Sequence, residues 1–193
     1  MGREFELKYR ADEAKIAAIR EKFGEFTPIS METTYYDTQN KTLGTLRWTL
    51  RRRFENGISV CTLKTPASGG GRGEWETELD DICAAVPLLC AMGAPKELEA
   101  YVADGIIPVC GAKFTRLAKL LTPEDCTVEL ALDRGILIGG SKELPFAEVE
   151  VEVKSGSEDA ALAFAEALAA EFDLIPESAS KYKRALTLAA QES

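Results

Sequence analysis

The chain contains no histidine. Hydrolases built on Ser-His-Asp or Cys-His arrangements, zinc held by imidazole, and any histidine general base are thereby excluded. Cysteine is sparse: Cys61, Cys83, Cys90, Cys110 and Cys126 are odd in number, widely spaced and never in a Cys-x-x-Cys pair. That argues against a thiolate metal site or a disulfide framework and for reduced, mostly buried thiols. No apolar run approaches the roughly 20 residues that a membrane helix needs. The opening MGREFELKYR is charged where a secretory leader is apolar, so a soluble, cytoplasmic protein is expected. Positive charge is also in deficit, with 23 Lys and Arg against 32 Asp and Glu, a net −9. A surface of that sign repels a nucleic-acid backbone at long range, so a polyanion must be met by a local basic pocket. The chemistry left is that of carboxylates, lysine, arginine, and a hard metal ion held by oxygen.

What is present is mostly strand. The 193 residues, 46% hydrophobic, show no solenoid repeat and no low-complexity linker, and read as one domain over 1–193. Alternation predicts strands over Arg3–Tyr9, Met31–Asp37, Leu46–Phe54, Ile58–Thr65, Gly73–Leu79, Ala112–Leu121, Thr127–Ile138 and Phe146–Lys154. Asn56-Gly57 is a two-residue hairpin signal, because both positions of a type I′ turn need positive φ. Ser68-Gly69-Gly70-Gly71 reads as a second hairpin loop. Helices are expected from an Asp12 cap to Gly24, with Ile16, Ile19 and Phe23 on one face, and over Ile82–Met92, Lys96–Val102 and Ser178–Ala190. The clearest runs from a Ser157 cap to Phe172, with Ala161, Ala165, Leu168 and Phe172 as its stripe. Hairpin-joined strands with interspersed helices predict an α+β fold built on an antiparallel barrel or sheet.

Residues two apart on a strand share a face. Glu4, Glu6 and Lys8 therefore oppose Phe5, Leu7 and Tyr9. Glu148, Glu150 and Glu152 oppose Val149, Val151 and Val153, and Glu74, Glu76 and Glu78 oppose Trp75 and Leu79. For one strand alone, a sheet with one face in the core and the other in water accounts for this. Three strands of the same sign, however, repel each other if they simply lie side by side. Arg51, Arg53 and Lys64 repeat the rhythm with cations. A sheet closed on itself would turn all of them into one wet interior. Carboxylates beside guanidinium and ammonium groups there can hold a divalent cation and a polyphosphate together.

These residues also carry a resemblance. Glu4-x-Glu6-x-Lys8 is followed in order by Tyr35-Tyr36-Asp37-Thr38, Leu50-Arg51-Arg52-Arg53, Thr62-Leu63-Lys64 and Arg72-Gly73-Glu74-Trp75-Glu76. Arg116, Ala131-Leu132-Asp133-Arg134-Gly135, the run 148–156 (EVEVEVKSG) and Ser180-Lys181-Tyr182 complete the series. The ordered set resembles the CYTH domain, also called the triphosphate tunnel metalloenzymes, over essentially the whole chain. The resemblance implies an eight-stranded antiparallel β-barrel forming an open tunnel, with helices packed outside, and a triphosphate substrate with Mg²⁺ or Mn²⁺ as cofactor. It implies metal binding by Glu4, Glu6, Glu148 and Glu150. It implies substrate contacts from Lys8, Arg51, Arg53, Lys64, Arg72, Arg116 and Lys181, with Glu74, Glu76 and Lys8 as catalytic groups. Glu152 shares the face but lies past the usual acidic pair.

The activity this implies is metal-dependent hydrolysis of inorganic tripolyphosphate, with nucleoside triphosphates as possible further substrates. A class IV-type adenylyl cyclase and a non-catalytic polyphosphate or nucleotide binder are the alternatives. No base-reading motif favours the first, and the acidic set is superfluous for the second. Many members carry a helical, histidine-rich domain after the barrel; this chain stops at Ser193, so a polyphosphate-granule role tied to that domain is not expected. Neither nucleic acid nor membrane is an expected partner. Tyr35 and Tyr36 are expected to pack, Asp37-Thr38 to close a turn, and Arg52 to face away from Arg51 and Arg53. Arg47 is expected at the rim, Asp133 and Glu129 as strand decoration, and Gly135 at a tight bend. Crowding of Glu4, Glu6, Glu148 and Glu150 predicts that Glu150→Gln leaves the metal-free protein as stable or more so.

Overall fold

The Asn56-Gly57 signal is realised: both residues have positive φ, 46° and 97°, and they join β3 (Thr49–Glu55) to β4 (Ile58–Pro66). The computed structural model describes residues 5–66 and 72–191. Along the chain follow β1 (Glu6–Arg10), α1 (Glu13–Phe23), β2 (Thr27–Asp37), α2 (Thr42–Thr45), β3, β4, β5 (Arg72–Glu78), α3 (Ile82–Ala91) and α4 (Glu97–Tyr101). Then come β6 (Ile107–Leu121), β7 (Cys126–Gly139), β8 (Lys142–Gly156), α5 (Glu158–Glu171), β9 (Ile175–Pro176) and α6 (Lys181–Ala190). Helix starts follow the cap chemistry read from the sequence. Asp12 accepts from the Lys15 amide at 2.9 Å and Ser157 from the Ala160 amide at 3.2 Å. Gly24, at φ 76°, closes α1 where a side chain would be strained.

All strands join one antiparallel sheet in the order β5-β4-β3-β2-β6-β7-β8-β1-β9. This corrects the expectation of a closed eight-stranded barrel. Among the described residues there are nine strands, and no pairing links β5 back to β1. The physical reason lies at β1, whose outer edge is already taken. Tyr9 and Arg10 pair with Pro176 and Ile175, and the Glu177 amide donates to the Lys8 carbonyl at 2.8 Å. Pro176 has no N–H with which to extend the ladder. The third predicted strand also begins late, because Asp37 organises the corner before it. Its buried carboxylate accepts from the amides of Thr38, Leu43 and Gly44 at 2.7–2.9 Å, shaping α2. Arg47, at φ 60°, then turns the chain and lies exposed. Neither α2 nor β9 was anticipated.

The apolar strand faces are covered by helices as expected, with one exception. Val128, Leu130, Leu132, Val149 and Val151 pack under α1 and α5, and Leu50, Cys61 and Leu63 pack under α3 and α4. α6 instead lies on the other face, the one bearing Arg116 and Asp133. Its Ala185 packs with Met31, Ala112, Phe114 and Leu137. The expectation that the helices pack outside fails for α6, because this end of the charged face is itself apolar. Gly135 is explained by close approach rather than a bend. A Cβ there would come within 2.1 Å of the Lys113 carbonyl oxygen and 2.5 Å of the Phe114 Cβ. No helix among the described residues is long and apolar enough to cross a membrane.

All five thiols are free, and only Cys83 is exposed. Burial pushes the Cys61 thiol up to about 11 and the Cys110 thiol to about 12. At pH 8 roughly one Cys61 in a thousand is then thiolate, the reactive form. Titration with a disulfide reagent should therefore show one fast thiol in the native protein and the rest only after unfolding. Two or more fast thiols would contradict this packing.

Candidate functional site

Strand alternation and the observed register turn one row of side chains from each of several strands into a shared cavity of about 890 Å³. Eight cationic residues line it: Lys8, Arg51, Arg53, Lys64, Arg116, Lys154, Lys181 and Lys183. Seven acidic ones face them: Glu6, Glu55, Glu74, Glu76, Glu129, Glu150 and Glu152. In a chain of net charge −9, this is where the cations collect.

One wall comes from β3, β4 and β5. Arg51 pairs across the sheet with Thr62, and Thr62 with Glu76. The Thr62 hydroxyl donates to Glu76 Oε1 at 2.9 Å. Arg51 Nη2 stands 3.8 Å from Glu74 and 3.7 Å from Glu76, while Lys64 Nζ is 3.1 Å from Glu74. Arg53 meets Glu55 at 3.1 Å. The Nε atoms of Arg51 and Arg53 are buried and lack a hydrogen-bond partner. Burial, and then the neighbouring charges of Arg51 and Arg116, lower the Arg53 pKa. Arg52, one residue out of phase, turns to the opposite face and pairs with Asp80 at 3.1 Å, as alternation predicts.

Arg116, Glu150 and Lys181 line the cavity further along the sheet and belong, with Asp133, Glu148 and Arg184, to a neutral cluster of three acids and three bases. Arg116 donates to both oxygens of Asp133, from Nε at 2.8 Å and Nη2 at 2.7 Å, and also from Nη2 to Glu150. Lys181 Nζ lies 2.7 Å from Asp133 and 2.8 Å from Glu150 and donates to Glu148. Arg184 holds the other Glu148 oxygen. Burial works against charge on Glu150, but Lys181 and Arg116 outweigh it and hold its carboxyl well below the usual range. For Lys181 burial is likewise outweighed, by Glu150, Asp133 and Glu148, and its pKa rises. Burial, reinforced by the Glu150 charge, pushes Glu148 up against the pull of Lys181 and Arg184. Crowding among the acids is therefore answered by cations, which removes the basis for expecting Glu150→Gln to stabilise the metal-free protein.

A third group spans β7, β8 and β1, where Glu129 pairs across the sheet with Glu152 and Glu152 with Glu6. Lys154 lies 2.9 Å from Glu152, and Lys8 lies 3.6 Å from Glu6. Of the residues picked from the sequence, Glu6, Lys8, Arg51, Arg53, Lys64, Glu74, Glu76, Arg116, Glu150 and Lys181 meet in the cavity. Glu4 and the side chain of Arg72 lie outside the described residues. Glu148 does not line the cavity and is wholly enclosed. Asp133, expected as decoration, is equally enclosed and fixes Arg116. Glu55, Thr62 and Lys154 were missed, although each shares strand parity with a residue that was picked, and Glu129, expected as decoration, lines the cavity as well. Lys183 carried no such signal, because it enters from a helix. Asp133, Glu148 and Glu150 each bring one carboxylate oxygen to within 4.8 Å of the others, and the Lys181 ammonium contacts all three.

Comparisons with known proteins agree with this architecture. The CYTH domain family model matches residues 2–186. An inorganic triphosphatase of Haemophilus influenzae is 29% identical over 170 residues, which are 87% of this chain and 48% of that protein. The chain thus spans about half the length of this curated relative. Among solved structures, a Hippeastrum adenylyl cyclase described as having a dominant triphosphatase activity superposes with a TM-score of 0.68 at 18% identity. That match covers 100% of this chain and 97% of the other. The PH1819 protein of Pyrococcus horikoshii OT3 gives 0.63 at 22% identity, covering 96% and 99%. At these identities the structural likeness concerns the fold.

Proposed function

This chain belongs to the CYTH domain family, and from that premise we propose that it is a divalent-metal-dependent triphosphatase whose substrate is inorganic tripolyphosphate. One observation carries the reading. The cavity holds buried guanidinium nitrogens without partners on Arg51 and Arg53, and Arg53 is further strained by like charge from Arg51 and Arg116. A polyanion relieves both conditions, because guanidinium groups bind phosphate oxygens through paired charge-assisted hydrogen bonds. The H. influenzae relative supports hydrolysis as the reaction class.

In this reading Lys8, Arg51, Arg53, Lys64 and Arg116 hold the phosphate chain for in-line attack. Arg72, outside the described side chains, joins them. Glu76, oriented by the Thr62 hydroxyl, or Glu74 beside it, accepts a proton from the attacking water. Water oxygen bonds to the terminal phosphorus, the bridging P–O bond breaks, and orthophosphate and diphosphate leave. Lys8 offsets charge growing on the leaving oxygen. Glu6, Glu150 and Glu152 line the cavity with oxygen donors that fit Mg²⁺ or Mn²⁺, with Glu4 beyond the described residues as a further donor. When bound, such an ion neutralises charge on the phosphate oxygens. Glu148, which has no exposed surface and lies outside the cavity lining, does not fit that set. The protein works in this reading as one cytoplasmic domain over 1–193, with neither nucleic acid nor membrane as partner.

Phosphate release from tripolyphosphate, ATP, thiamine triphosphate and pyrophosphate, with Mg²⁺, Mn²⁺ and chelator in parallel, tests this. Tripolyphosphate should turn over faster than ATP, since the lining contacts address the polyanion, and chelator should abolish both. Turnover without a divalent cation would sink the reading. Cyclic AMP as the main product from ATP would replace it with a cyclase.

A further inference from the structure

Glu148 is the exception among the acids of β8. It alternates in step with Glu150 and Glu152, both of which line the cavity, yet it has no exposed surface and lies outside the lining. Both of its oxygens are engaged by one helix, Oε1 by Lys181 and Oε2 by Arg184. Those residues stand one turn apart on the same face of α6. Arg184 is fixed in turn, with its guanidinium 5.4 Å from the centre of the Phe146 ring and Nη1 3.9 Å from Glu177. Further along, α6 presses its backbone onto β7. A Cβ at Gly139 would lie 2.5 Å from the Ala189 nitrogen and 2.6 Å from the Ala185 oxygen. Close approach thus sets the height of α6 above the sheet, and the shared carboxylate sets its rotation. That rotation decides where Lys181, Tyr182 and Lys183 of its first turn meet the cavity.

We propose that Glu148 is the anchor of α6 and not a ligand of the divalent cation, and that Arg184, by sharing this carboxylate with Lys181, is the positioning residue for the first turn of α6. The inference rests on the metal-dependent triphosphatase reading for its Mn²⁺ and kinetic arms, and the exchange arm stands apart from it. A carboxylate whose two oxygens are held by two cations of one element fixes that element's placement. Glu150 is held by two cations as well, Lys181 and Arg116, but from two different elements, and it opens onto the cavity, which Glu148 does not.

The test compares Glu148→Gln, Arg184→Ala, Arg184→Lys and Glu150→Gln with wild type. In metal-free protein, amide exchange across α6 should quicken by about tenfold or more in Glu148→Gln and Arg184→Ala, while β6–β8 stay protected. Arg184→Lys, which keeps a cation for Glu148, should recover most of that protection. Mn²⁺ added alone, followed by the spin-resonance signal of the free ion, should bind Glu148→Gln within about threefold of wild type and Glu150→Gln roughly 10–100-fold more weakly. With tripolyphosphate, Arg184→Ala should raise KM by about fivefold or more with a smaller change in kcat, because it misplaces Lys181 and Lys183, the α6 cations that line the cavity. The proposal is overturned if α6 exchange is unchanged in both Glu148→Gln and Arg184→Ala. It is equally overturned if Glu148→Gln loses Mn²⁺ as severely as Glu150→Gln. Should wild type neither bind Mn²⁺ nor release phosphate, the triphosphatase reading falls, and the exchange result alone still decides the anchor.

Discussion

Lys181→Met is expected to lower the melting temperature of the metal-free protein by roughly 6–20 °C. That range converts the roughly 3–5 kcal/mol lost when one partner leaves a buried ion cluster, at about 2–4 °C per kcal/mol for a chain of this size. The ammonium is the only cation that touches all three of Asp133, Glu148 and Glu150 among the described contacts. Without it, three enclosed carboxylates answer to Arg116 and Arg184 alone. The pH dependence follows from the two shifts. The depressed pKa of Glu150 contributes stability that is present above its unfolded value of about 4.3 and lost as pH falls through the folded one. The raised pKa of Lys181 contributes stability that is complete below about 10.4 and lost only as pH rises through its higher folded value. Calorimetry in chelator should therefore show the widest gap between wild type and mutant from about pH 5 to pH 10, narrowing in acid. Equal melting temperatures at pH 7 would mean that the cluster is not held together by this lysine. By the same reasoning Glu150→Gln should destabilise the metal-free protein, the reverse of what acidic crowding alone suggests.

Arg53 is where function and stability should part company. Arg53→Met is expected to melt at the same temperature as wild type or a few degrees higher without ligand, by about 2–4 °C per kcal/mol of relieved strain. Its guanidinium is partly buried, keeps one carboxylate partner and an unsatisfied Nε, and feels the like charges of Arg51 and Arg116. The same change should cut kcat/KM for tripolyphosphate by roughly 10–150-fold, the equivalent of about 1.5–3 kcal/mol of charged hydrogen bonding. Arg52→Ala is the control. Its pair with the largely exposed Asp80 is worth about 0–1 kcal/mol, and activity should survive. Melts and initial rates on the three proteins decide the matter. If Arg52→Ala harms turnover as much as Arg53→Met, the assignment of this strand's cavity face is wrong.

Most of the cavity could be read from parity. A strand has only two faces, so Glu6 with Lys8, Arg51 with Arg53, and Glu74 with Glu76 sort themselves without tertiary information. The same rule covers Glu55 and Lys154, which were passed over, while Glu129 was expected as decoration. Parity fails at Glu148, because it says which face a side chain leaves but not what lies above it. α6 covers that end of the sheet, a long-range docking with no local periodicity to betray it. Closure was illegible for a related reason. Whether the last strand meets the first depends on what occupies the edge of β1, and two residues around Pro176 leave almost no pattern in a sequence.

The unclosed sheet has its own consequence for how copies of this chain meet. An uncovered strand edge is a template for another strand, and β5 is such an edge among the described residues. It presents Glu74, Glu76 and Glu78 at alternate positions, so two copies approaching edge to edge would set carboxylate beside carboxylate. At the far end, the two-residue β9 with its proline offers too little ladder to extend. Glu74 and Glu76, which line the cavity, thus also oppose pairing of two copies along this edge. That guard is electrostatic, and strong acid, by protonating it, should make edge-to-edge association easier.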